Sequence, residues 1–217
     1  MLSNIKHAIL DWSGTLCNDV PFSTEVFNWV RRRLGLREYS EQEWINAFCL
    51  PITKFNAAQF PNVKPERVDE LYGMAYLRLE HRVTNVRPLP CAKMLLNYLQ
   101  ERGIDCHVFS AAQTSVVKRQ AQYLGLSRYM KRIIGGQHDK ANALRQYMAQ
   151  AGMAPEQTLY VGDTPHDVIA GEAAHATVVA VRTGYATPAE LREVHPETEV
   201  DDLGQLQALM IASEPCK

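Results

Sequence analysis

Apolar residues gather in short runs, each followed by a stretch with helical spacing. The runs are "HAIL" (7–10), "DCHVFS" (105–110), "RIIG" (132–135), "TLYVG" (158–162) and "TVVAVR" (177–182). Their Val and Ile content and their lack of strict alternation suit strands buried on both faces of a parallel sheet. Between them, 89–102, 114–124, 139–151 and 166–174 carry helical patterns, and the first three stop before Gly103, Gly125 and Gly152. Glycine is the usual left-handed helix terminator. A short helical pattern over 203–213 follows the last run. Such alternation predicts an α/β fold, a Rossmann-like three-layer core on a parallel sheet.

Residues 18 to 85 break this rhythm. They read as helices at 23–34, 40–48 and 65–82, and "PLP" at 88–90 returns the chain to the strand–helix pattern. The spacing predicts a core of residues 1–16 and 86–217, with 17–85 inserted after the first strand as a helical cap domain. Trp29, Trp44, Phe27 and Phe48 have the spacing of that domain's own core. No internal repeat or low-complexity tract is present.

Composition narrows the functional classes. Apolar residues make up 46% and charged residues 22% of the 217, the profile of an ordinary globular protein. With 23 basic and 24 acidic side chains the net charge is −1, which argues against a general nucleic-acid or membrane-surface binder. No apolar stretch approaches the roughly 18 residues a membrane span needs. "MLSNIKHAIL" runs almost directly into Asp11 without a charged-then-apolar leader. Cys17, Cys49, Cys91, Cys106 and Cys216 are scattered without a CxxC pair, so neither a disulfide framework nor a structural zinc site is expected. These features imply a reduced, cytoplasmic protein. The 7 histidines likewise lack the close spacing of a zinc motif.

In a parallel sheet, ligands sit at the carboxyl ends of the strands. The first run is followed by Asp11-Trp12-Ser13-Gly14-Thr15, the second ends in Ser110-Ala111-Ala112, the third leads to His138-Asp139-Lys140, and the fourth to Gly162-Asp163-Thr164-Pro165-His166-Asp167. Taken singly, Ser110 reads as a helix N-cap and Asp163 as an Asx-turn. The ordered set is harder to explain as caps, and it points to a site.

That set resembles the haloacid dehalogenase superfamily of hydrolases over essentially the whole chain. "DWSGTL" is similar to its first motif, DxDGT[LV]; Ser110 stands where the second motif has Ser or Thr, Lys140 where the third has lysine, and "GDTPHD" is similar to the fourth, GDxxxD. Within the superfamily the chain looks most like phosphoglycolate-phosphatase-like proteins, in a branch reading DW(N/S)GTL. The resemblance implies that Asp11 attacks phosphorus, with Mg²⁺ held by Asp11, Asp163 and the Ser13 carbonyl. It implies that Lys140 neutralises charge, and that Ser110, Ala111, Thr15 and the Gly14 N–H hold the phosphoryl group. Asp167 is placed to orient a metal-bound water or Lys140.

Ser13 departs from the family pattern. Its phosphatases normally carry an aspartate there as general acid and base, a contribution of about 10²–10⁴ in rate. Three consequences stay open: a slow or specialised phosphatase, a different reaction such as phosphonate or carbon–halogen cleavage, or a protein that binds phosphate ligands with little turnover. Lys54 lies near where phosphonate-cleaving relatives carry a Schiff-base lysine, although "LPITKFNAAQF" is otherwise unlike them; a solvated lysine is the favoured reading, with substrate binding from the cap left open. His166 is a surrogate proton donor on chemistry and a solvent-facing helix-start residue on spacing. "VRRRLGLR" (30–37) is a solvated helix face or an anion-attracting patch. The favoured reading is a Mg²⁺-dependent hydrolase of a small phosphorylated metabolite, with no nucleic-acid or membrane partner. Nothing in the sequence sets its oligomeric state.

Overall fold

Backbone pairing turns the apolar runs into one sheet. The computed structural model describes residues 2–214, and Cys216 therefore lies outside the described residues. The strands are β1 (His7–Leu10), β2 (Cys17–Asn18), β3 (Arg87–Pro88), β4 (Asp105–Phe109), β5 (Arg132–Ile134), β6 (Thr158–Gly162), β7 (Thr177–Val181) and β8 (Glu199–Val200). The helices are α1 (Val20–Arg33), α2 (Glu41–Ala47), α3 (Ile52–Gln59), α4 (Pro65–Arg78), α5 (Ala92–Glu101), α6 (Thr114–Tyr123), α7 (Lys140–Gln150), α8 (Pro165–Ala173), α9 (Pro188–Glu193) and α10 (Leu203–Ala212). The main sheet has the order β5-β4-β1-β6-β7-β8, and every pairing in it is parallel. The α/β, Rossmann-like reading is the observed fold.

Strand order places the site. From β1 the chain builds outward through β4 and β5, then returns to β6 on the other side of β1. Order therefore reverses between β1 and β6, where a crevice opens at the carboxyl ends. Leu10 lies level with Val108 on β4 and Val161 on β6, so the residues just beyond them share one edge. Beneath that edge Ile9, Phe109 and Tyr160 pack with Leu144 and Met148 of α7 and Ala170 of α8. Trp12, fully buried, donates its indole N–H to Gln120 Oε1 of α6 at 2.7 Å, which ties the loop after β1 to a neighbouring helix.

The chain divides into two compact units, one comprising the stretch up to Asn18 and from Arg87 onward, the other Asp19–Val86. Cys17 and Asn18 pair antiparallel with Pro88 and Arg87, so both ends of the excursion are held in the sheet unit. The second unit is helical, α1 to α4. Its core is aromatic, with the Phe27 ring 5.3 Å from Phe55 and 5.7 Å from Phe60, and Phe48 stacked on Trp44 at 4.9 Å. The 30–37 arginines find partners inside this unit. Arg31 lies over the Tyr39 ring at 4.1 Å, Arg33 over Trp29 at 4.8 Å, and Arg32 and Arg37 pair with Glu38 and Glu43 at 2.9 and 2.8 Å. Those contacts favour the structural reading of the basic cluster.

Several elements escaped the sequence pattern. β2, β3 and β8 have two residues each, too few for a period to register. α9 has six residues and is marked only by its Thr187–Glu190 capping box. α3 follows Pro51 with a weakly amphipathic run whose one buried residue is Phe55. Among the described residues Cys17, Cys49, Cys91 and Cys106 are free thiols, and no helix is long and apolar enough to cross a membrane.

The Trp12–Gln120 contact can be weighed directly. Gln120→Leu deprives a buried indole N–H of its acceptor, at a cost of about 1–3 kcal/mol. Gln120 Nε2 has no partner of its own, so removing it offsets part of that cost. A net loss near the lower end is expected by urea unfolding, and Trp12→Phe should cost less in the Gln120→Leu background than in the native chain.

Candidate functional site

The ladder between β1 and β6 runs one residue past β1, because the Asp11 N–H donates to the Val161 carbonyl at 2.8 Å. This fixes the Asp11 carboxylate, almost wholly buried, at the point where strand order reverses. Lys140, the first residue of α7, brings its Nζ within 3.0 Å of Asp11 Oδ1 and 2.7 Å of Asp167 Oδ1. Asp167 sits in the first turn of α8, where a capping box with Thr164 holds it. Its Oδ2 accepts from the Thr164 N–H at 3.1 Å and hydroxyl at 2.5 Å, and its Oδ1 also accepts from the Tyr160 hydroxyl at 3.0 Å.

Asp163 is held by distant parts of the chain. Its Oδ1 accepts from the Thr15 hydroxyl at 3.0 Å and its Oδ2 from the Tyr185 N–H at 2.8 Å. Two glycines let the backbone come this close: a Cβ on Gly14 or Gly184 would fall 2.4 or 1.8 Å from Asp163 Oδ2. Gly14 also takes a φ of +79°, which costs side-chain-bearing residues strain. The Thr183 hydroxyl closes the cradle by donating to the Gly14 carbonyl at 2.8 Å.

One carboxylate oxygen each from Asp11, Asp163 and Asp167 lies within 4.8 Å of the other two, with all three residues buried. A single ammonium faces three acids. Burial pushes Asp11 up to about 7, against the opposing pull of Lys140. Burial likewise drives Asp163 well above its ordinary range, and the charges of Asp11 and Asp167 add to the rise. Burial disfavours charge on Asp167 too, but Lys140, Thr164 and Tyr160 outweigh it and hold that carboxyl low. Lys140 stays firmly protonated, since its two acid neighbours overcome its own desolvation. Asp167 is therefore the settled counter-ion of Lys140, and Asp11 and Asp163 are the underneutralised pair. Hard oxygen donors with excess negative charge fit a divalent cation.

The four sequence segments thus converge, with amendments. Ser110 is buried, but α6 starts at Thr114 with Gln113 as its cap, so Ser110 is not a helix cap. Its Oγ accepts from the Ala112 N–H at 3.2 Å and keeps a hydrogen to donate. Asp163 makes contacts far along the chain rather than an Asx-turn. Two substrate-binding expectations change. The Gly14 N–H donates to the Cys17 carbonyl at 2.8 Å, closing the loop, and the Thr15 hydroxyl is spent on Asp163. Ser13 is half-buried and bridges to Cys17, Ala111 is half-buried beside Ser110, and His166 is half-buried in the first turn of α8. Lys54 is an exposed residue of α3 in the helical unit.

Tyr160 and the Thr183-Gly184-Tyr185 loop were missed. Tyr160 looks like strand core, and its hydroxyl contact becomes visible only in three dimensions. The loop follows the fifth apolar run, so reading past that strand as past the other four would have found it.

A model of the haloacid dehalogenase-like hydrolase family matches residues 8–181. The chain belongs to that family. Phosphoglycolate phosphatase of Haemophilus influenzae is 31% identical over 227 residues, covering 97% of this chain and 100% of that protein. A haloacid dehalogenase-like family hydrolase of Streptococcus pneumoniae superposes with a TM-score of 0.81 at 19% identity, covering 95% and 98% of the two chains. A family hydrolase of Deinococcus radiodurans, solved with bound phosphate and sodium, gives 0.73 at 18% identity over 97% and 96%. At such identities the structural likeness speaks to the fold. Together with the first relative, the family match makes this a phosphoglycolate-phosphatase-like hydrolase.

Lys140→Met tests the charge balance. It removes the ammonium that Asp11 and Asp167 share, so Asp11 rises further above its ordinary range and Asp167 loses the charge that holds it below. Raised carboxyl pKa values favour folding at low pH and lose that advantage as pH climbs. The variant should thus lose more stability near about pH 8 than near about pH 5.5, with a loss of roughly 3–5 kcal/mol at the higher pH. Urea unfolding in EDTA at both pH values measures it.

Proposed function

We propose that the chain is a Mg²⁺-dependent phosphatase of a small phosphorylated metabolite, acting through an aspartyl-phosphate on Asp11. What carries the reading is the buried Asp11 carboxylate at the strand-order reversal, 3.0 Å from Lys140 and clustered with Asp163. Asp11, Asp163 and the Ser13 carbonyl would hold the metal, which when bound supplies positive charge that lets a carboxylate meet an anionic phosphate.

Asp11 attacks phosphorus, the ester oxygen leaves with the bonding pair, and water then cleaves the acyl phosphate to free the aspartate. Lys140 favours the ionised form of Asp11 against the effect of burial and offsets charge on the phosphoryl group. Ser110 donates to a phosphoryl oxygen. Asp167 and Tyr160 fix where the Lys140 ammonium points, because both meet at Asp167 Oδ1. The name of the chain's relative, phosphoglycolate phosphatase, supports a small acidic phosphate ester as the substrate class.

Ser13 governs the rate. Its hydroxyl is too weak an acid near neutral pH to serve as general acid to the departing oxygen, so turnover is slow on poor leaving groups. On a panel of phosphate monoesters, Asp11→Asn should abolish hydrolysis; activity that persisted would remove Asp11 as nucleophile, and a native protein inert on every ester would favour ligand binding without turnover. Ser13→Asp should raise hydrolysis by less than the ceiling of about 10²–10⁴, more for alkyl than for nitrophenyl esters. A fall on all esters would move the site toward another reaction.

The metal assignment has a separate readout. Excess Mg²⁺ should raise the melting temperature of the native chain and leave Asp163→Asn unchanged, because a ligand that binds only the folded state stabilises it.

A further inference from the structure

At the amino-terminal ends of the strands, opposite the edge that carries Asp11, a second group of donors meets. His7 opens β1 and Asp105 opens β4, and the two are register partners. His107 lies two residues along β4, so the period of a strand puts all three side chains on one face of the sheet. One ligand atom from each lies within 4.8 Å of the other two, and His7 Nδ1 stands 3.7 Å from Asp105 Oδ2.

Two buried nitrogens there, His7 Nδ1 and His107 Nε2, have no hydrogen-bond partner. His107 is 3% exposed, and an unsatisfied buried polar atom asks for an explanation such as a bound ion. The other nitrogen of that ring, Nδ1, is 2.7 Å from the Tyr147 hydroxyl of α7. A partner on the far nitrogen is the usual arrangement for a metal-binding histidine, because it orients the ring and leaves Nε2 as the donor. We propose that His7, His107 and Asp105 form a binding site for a divalent transition ion, Zn²⁺ being the best match, distinct from the Asp11 cluster.

Two imidazoles and a carboxylate suit zinc, cobalt or nickel rather than magnesium, which prefers oxygen donors. Burial also pushes His107 down to about 4, so its ring is neutral and ready to donate at physiological pH. Access comes from the side of His7 and Asp105, whose side chains are 22% and 37% exposed. The cationic groups that face the site are Lys131 and Arg132. Lys131 pairs with Asp105 at 2.5 Å and opposes the ion, but its side chain is 59% exposed and free to swing outward. The bound ion would clamp β1 to β4 at the edge remote from the catalytic residues.

Tag-free protein in saturating Mg²⁺ is titrated with Zn²⁺ against a chromophoric chelator, and Co²⁺ is added to a second sample for its visible d–d absorption. The native chain and Asp163→Asn should each take up one equivalent, whereas His7→Ala and His107→Gln should take up none and show no Co²⁺ band. Lys131→Met, an exposed change that does not threaten folding, should bind about two- to five-fold more tightly. No uptake by the native chain, uptake retained in His7→Ala, uptake lost in Asp163→Asn, or unchanged affinity in Lys131→Met would each overturn the proposal.

Discussion

One buried ammonium, Lys140, shared between two carboxylates is the constraint on which the edge around Asp11 depends. Lys140 reaches Asp11 and Asp167 at once, at 3.0 and 2.7 Å, from the first turn of a helix that also packs on the sheet through Leu144 and Met148. A lone lysine at that depth would be too costly to keep charged, and two lone carboxylates would take up protons. Each charge favours the others, although burial still pushes Asp11 up to about 7. Tyr160 and the Thr164 capping box fill the remaining positions around Asp167, which fixes the direction of the ammonium and hence the charge that Asp11 feels.

The compensation is incomplete, and the incompleteness has a chemical use. Asp163 has hydrogen bonds from Thr15 and Tyr185 but, among the described residues, no ion-pair partner, and Gly14 and Gly184 let backbone from two separate loops press against it. Neutral donors stabilise a buried carboxylate less than a charge does. The edge thus carries surplus negative potential where an ion would complete it. The fold tolerates this strain because the surrounding strands, fully buried through Ala8, Ile9 and Leu10 and through Val161, supply apolar packing that does not depend on the site.

Ser13 shows how one position can retune such a site without disturbing it. The loop from Asp11 to Cys17 is closed by the Gly14 N–H, the Trp12 carbonyl and the Trp12–Gln120 contact, none of which uses the side chain at 13. On the proposed mechanism, a serine there would leave Asp11 and its charged neighbours in place while withholding a proton donor.

The sequence by itself determined the sheet and most of the charged site. Buried parallel strands need unbroken apolar runs, helices need periodic ones, and both signals are local, so β1, β4, β5, β6 and β7 and the helices that follow them were legible, as were Asp11, Ser110, Lys140, Asp163 and Asp167 at the strand ends. Tertiary structure decided what depends on distant partners. Whether the Thr15 hydroxyl meets Asp163 or a ligand, whether the Gly14 N–H points outward, and whether Tyr160 is core or part of the lysine network turn on residues far along the chain. The same reason hid the histidine group: His7 and His107 have no spacing in common, and register between β1 and β4 alone brings them together. Local pattern fixes which face a side chain takes. Only folding fixes what it faces.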